Sequence, residues 1–122
     1  EKTSVNFFLN VGYTLNQAIG ITAGLTRISE MTVGKPGIGN FSESRYNDLS
    51  NFKETRNSFS TQLKFVLYEL NTSKTGANVR LLQADKIEGK NGIAEVISKY
   101  YLDGKLSSGE VEIAAKELLD RV

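Results

Sequence analysis

Apolar positions along the 122 residues fall into two kinds of run. The clearer one is Leu49, Phe52, Arg56, Phe59, Leu63, Val66 and Leu70, at alternating spacings of three and four. That period places all seven on one face of an α-helix. Asn40 with Glu43, or Ser42 just inside, supplies a start signal, and Asn71-Thr72-Ser73 ends the run. The segment predicts one helix of about 25–30 residues, roughly 40 Å long. A helix of that length needs a partner to cover its face.

Residues 3–26 read in two ways. Taken as a helix, Phe8, Val11, Leu15, Ala18, Ile19, Thr22, Leu25 and Ile28 recur at three and four. Taken as strands, Val5, Phe7, Leu9, Val11, Tyr13 and Leu15 alternate, and Ile19, Ile21, Ala23 and Leu25 alternate again after Asn16-Gln17. Gly12, Gly20, Gly24 and several Thr residues weaken the helix by propensity. Against the strands, the rest of the chain supplies no partner strands. The helix is favoured, antiparallel to the long one, with its Gly and Ala residues allowing close backbone approach.

Gly34-Lys35-Pro36-Gly37-Ile38-Gly39-Asn40 holds the only proline and breaks the chain between the two long segments. Three shorter helices follow. The first, near residues 78–86, carries Val79, Leu81, Leu82 and Ile87. The second runs from Ile93 to Leu102 and ends at Asp103-Gly104. The last has Ser107 and Glu110 as a capping box and Leu106 with Val111 as the flanking staple. Val111, Ala114, Ala115, Leu118 and Val122 mark its inner face. The predicted fold is all-α: a long antiparallel helical hairpin packed with two or three shorter helices, as a single domain over residues 1–122. The alternative is α+β with an N-terminal β-hairpin.

Composition removes chemistry. No His or Cys is present, so there is no thiol nucleophile, Cys-based zinc site, disulfide or Ser-His-Asp triad. A net charge of +1 gives no case for a nucleic-acid partner. The layout of charge says more than its sum, because Thr3 to Thr26 carries none of it. That run is long enough to span a bilayer, but Asn6, Asn10, Asn16 and Gln17 make a transmembrane helix too costly. It is instead expected to be enclosed by the other helices or covered by a partner. The chain starts at Glu1 and its only methionine is Met31, which fits removal of a signal peptide from an exported (periplasmic or secreted) protein as well as trimming of a longer chain.

The remaining candidate motifs fail on spacing. The glycine-rich break lacks the Walker order, with Lys35 ahead of Pro36. An EF-hand starting at Asp103 would need oxygens where Lys105 and Ala114 stand. The last two helices have helix-turn-helix spacing, but the second offers Glu110, Glu112, Glu117 and Asp120 against Lys116 and Arg121, a face that repels phosphate. The Leu102–Ser108 turn followed by Glu110 resembles the short helical-hairpin (SHOCT-type) modules at the C-terminal ends of bacterial proteins. That resemblance covers only the last quarter of the chain and implies no function. Glu30, Glu43 and Asp48 are read as solvated or capping acids, and Ser42, Ser58 and Ser60 as cap or surface residues.

What remains is a non-enzymatic protein–protein interaction module, such as an adaptor, inhibitor, chaperone-like or immunity protein, without cofactor or metal. Self-assembly into an oligomer through the long helices is a natural extension. The candidate partner-binding residues are Tyr68, Tyr100, Tyr101 and Arg56. Surface tyrosines bury large area at low entropic cost, and Tyr100 and Tyr101 cannot both face one core. Arg56 interrupts the apolar stripe as a charge that either snorkels or specifies a partner. The alternative function is a carrier for a small apolar ligand, in a pocket where Gly12, Ala18, Gly20 and Gly24 leave space.

Overall fold

A computed structural model describes residues 2–31 and 59–122, with side chains described for 2–27 and from 62 onward. The elements are α1 (Lys2–Asn10), α2 (Leu15–Met31), α3 (Phe59–Asn71), α4 (Thr75–Gln83), α5 (Ile93–Val96, continued by a wider π turn at Ile97–Tyr101) and α6 (Ser108–Arg121). The described chain is all-helical, with its helices packed together. No strand occurs among the described residues, so the alternative of an N-terminal β-hairpin is corrected. Strand alternation would place Val5, Phe7 and Leu9 on one face, whereas Ser4, Val5 and Phe8 are the residues buried, at helical spacing.

The N-terminal stretch is two helices, broken where the predicted stripe crosses Val11. Gly12 adopts φ +110°, a left-handed backbone that side-chain-bearing residues avoid, and α1 stops there. Thr14 then starts α2. Its hydroxyl accepts from the Gln17 N–H at 3.2 Å, and Gln17 Oε1 accepts from the Thr14 N–H at 3.0 Å. This reciprocal capping box satisfies donors that a helix start leaves open. The corner folds α1 back along α2, where the Ser4 and Thr22 hydroxyls share a buried hydrogen bond of 2.7 Å.

α2 is the centre of the packing. Every residue from Gln17 to Leu25 is buried, so this helix has no solvent face along those turns. A helix apolar all round belongs inside a bundle, which accounts for the uncharged run. Its most extensive neighbour among the described elements is α6, with α1 and α5 on other sides. The close approach expected of its glycines occurs against α5. A Cβ at Gly20 would overlap the Ile93 Cγ2 methyl, and one at Gly24 would stand 2.8 Å from Ile97 Cγ2.

The long predicted helix is described only for its last part, α3, which ends at Asn71 as its sequence implies. The cause is local. Asn71 Nδ2 donates to the Leu67 carbonyl at 3.0 Å, and the Thr72 hydroxyl donates to that of Tyr68 at 2.7 Å, so side chains close the final turn. Leu63, Phe65, Val66 and Leu70 face the core. Leu49, Phe52 and Arg56, together with the glycine-rich break, lie outside the described residues. At α6 the predicted cap is present: Ser107 Oγ accepts from the Glu110 N–H at 3.2 Å, and the flanking Leu106 and Val111 are buried. Val111, Ala115 and Leu118 form its inner face, while Val122 is exposed. Among the described residues, no helix is long and apolar enough to cross a membrane.

Candidate partner-binding face

Of the four residues singled out from the sequence, the three tyrosines are described, and they differ in exposure. Arg56 lies outside the described residues. Tyr68 is half-exposed on α3, its ring stacked on Phe65 at 6.4 Å. The adjacent tyrosines divide: Tyr101 is 1 % exposed and Tyr100 40 %.

The end of α5 widens at this point. Regular α-helical spacing alone leaves the choice open, since Tyr100 lies four residues from Val96 and Tyr101 four from Ile97. In the wider turn the Leu102 N–H donates to the Ile97 carbonyl at 2.8 Å, a five-residue step in place of four. Tyr101 takes the inward position. Its hydroxyl donates to Glu69 Oε1 at 2.9 Å, a buried carboxylate on α3. Tyr101 therefore offers a partner no side-chain surface.

Tyr100, swung outward, meets Arg80 of α4. The guanidinium carbon stands 4.2 Å from the ring centroid, and Nη1 donates to the Gly76 carbonyl at 3.1 Å. Both contacts fix the orientation of the cation. Beside it, α4 presents Val79 and Leu82, 56 % and 54 % exposed. The sequence pattern groups them with Leu81 and Ile87, but only the latter two are buried, because α4 starts at Thr75 and turns Ala77 and Leu81 inward. Arg80, Gln83, Asn91 and Val96 line a cleft of about 320 Å³ at the edge of this face. Arg80 escapes sequence reasoning because its partner is twenty residues away, and no spacing rule pairs α4 with α5.

Other candidate sites are closed or open differently from expectation. The notches at Gly20 and Gly24 are filled by Ile93, Ile97 and Leu102. An apolar groove of about 250 Å³ lies instead beside the α1–α2 corner, lined by Lys2, Val5, Asn6, Leu9, Leu15 and Val122. Asp103 pairs with Lys74 at 2.8 Å, tying the start of α4 to the end of the π turn. Glu43, Asp48, Ser42 and Ser58 lie outside the described residues, as do the side chains of Glu30 and Ser60. Comparison with protein-family models, curated proteins and solved structures finds no match to the chain.

Proposed function

We propose that the protein is a non-enzymatic protein-binding module whose partner docks on the outer face of α4 and the adjoining Tyr100. The observation that carries this reading is that Val79 and Leu82, three residues apart on α4, are both exposed, and that Tyr100 is exposed against an oriented Arg80 of the same helix. Aromatic and arginine anchors beside apolar side chains are the composition of interface centres. The carrier alternative has less support, since the glycine notches are filled and the remaining groove is open at the corner with Lys2 and Asn6 on its rim.

The test is affinity capture with the full chain, comparing the parent with Val79→Glu/Leu82→Glu and with Ile113→Glu. Ile113 is equally exposed, at 57 %, but sits on α6. The α4 variant is expected to lose the captured protein, with binding at least tenfold weaker, as for a disrupted interface centre. The α6 variant retains it. Equal behaviour of the two variants would sink the reading. Light scattering across a concentration range separates a second copy of the chain from a different partner protein.

A further inference from the structure

Arg80 is an oriented cation without a carboxylate partner among the described residues. Its contacts are the Gly76 carbonyl at 3.1 Å and the Tyr100 ring at 4.2 Å. A guanidinium carries five N–H donors in a planar fork, so one carbonyl leaves most of the fork available. Gln83 and Asn91 bring neutral amides to the same cleft, and Val96 provides an apolar wall. The neighbouring acid, Glu95, is engaged elsewhere: its Oε1 accepts from the Asn91 N–H at 3.3 Å and pairs with Lys99 at 3.5 Å.

We propose that this cleft receives a side-chain carboxylate from an acidic residue of the partner protein, while Val79 and Leu82 take the apolar neighbours of that residue. The inference rests on the reading of this face as protein-binding. Charge selects the ligand. Among the described residues lining the cleft, Arg80 is the one cation, and a single planar fork matches one carboxylate bidentately. A phosphate dianion would call for more positive charge than one guanidinium supplies. Size agrees, since about 320 Å³ admits a carboxylate and its stem, with the rest of the partner lying on the α4 face.

The experiment is an NMR titration of the isotope-labelled full chain with four probes. These are acetyl-Leu-Glu-Val-Leu-amide, the same peptide with Gln for Glu, that Gln peptide with a free C-terminal carboxylate, and inorganic phosphate. The Glu peptide is expected to shift the Arg80 Nε–H and the Gln83 and Asn91 side-chain amides saturably. Arg80→Gln should weaken it roughly tenfold or more, the loss typical of a charge-assisted hydrogen bond. Equal binding of the Gln peptide, of its free-carboxylate form or of phosphate would overturn the assignment, as would unchanged affinity in Arg80→Gln. Capture that depends on Val79 and Leu82 but not on Arg80 would remove this inference and leave the protein-binding reading standing.

Discussion

Gln17 sits in the core with its amide bonded at both ends. Oε1 accepts from Thr14 N–H, while Nε2 donates to the carbonyls of Leu81 at 2.9 Å and Ala84 at 3.1 Å. One side chain thus starts α2 and ties it to the end of α4. Gln17→Ala removes these bonds; the Leu81 carbonyl keeps the Ala84 N–H, but the Ala84 carbonyl loses the amide donor, and the change costs about 1–3 kcal/mol. Denaturant unfolding checks the value, and a loss under about 0.5 kcal/mol would mean that water takes over the bonds. The capping signature Thr14-x-x-Gln17 is present in the sequence, but the apolar stripe through Phe8, Val11 and Leu15 runs across it. Periodicity is blind to a single glycine at positive φ that breaks a helix, and Val11 and Leu15 both end up exposed.

Between elements, contact between α2 and α5 depends on what is missing at Gly20. Ala has the better helix propensity by about 1 kcal/mol, yet a methyl at Gly20 meets the β-branched Ile93, which cannot swing away. Overpacking of this kind costs roughly 1–3 kcal/mol, so Gly20→Ala is expected to destabilise. Gly76 on exposed α4 is the control, since a Cβ there stands 3.5 Å from Arg80 Nη1, an ordinary contact. Gly76→Ala should be stabilising by up to about 1 kcal/mol. Opposite signs in the two unfolding midpoints are the expected result, and a stabilised Gly20→Ala would refute the close approach. The small residues of α2 imply such an approach, but its partner is not legible in the sequence, because a helix buried all round has no single stripe to indicate a direction. The π turn is equally hidden: Ile93, Val96, Ile97 and Tyr101 fit a regular helix, and the Tyr101–Glu69 bond at its end joins residues far apart in the chain.

Across the whole molecule, Tyr13 links the α1–α2 corner to α4 through a 2.7 Å hydrogen bond from its hydroxyl to Asn78 Oδ1. Burial pushes this hydroxyl above its ordinary value of 10.0. The folded protein therefore holds the proton more tightly than the unfolded chain does. That contribution to stability is complete below about pH 10 and is lost as pH rises through the raised value. Tyr13→Phe should flatten the alkaline fall in melting temperature, while costing about 0.5–1.5 kcal/mol at neutral pH for the lost bond. Parallel melting curves for the two proteins above about pH 10 would exclude the role. By itself the sequence determined what neighbouring residues settle: the helical class, the stop at Asn71, the Ser107 cap and the inner face of α6. These rest on periodicity and on hydrogen bonds spanning three or four residues. Tertiary structure alone decided which helices surround α2, that Tyr101 goes in while Tyr100 comes out, and that Arg80 meets Tyr100. Each joins residues far apart in the chain through packing, where helix phase and the shape of a facing helix count and local spacing does not.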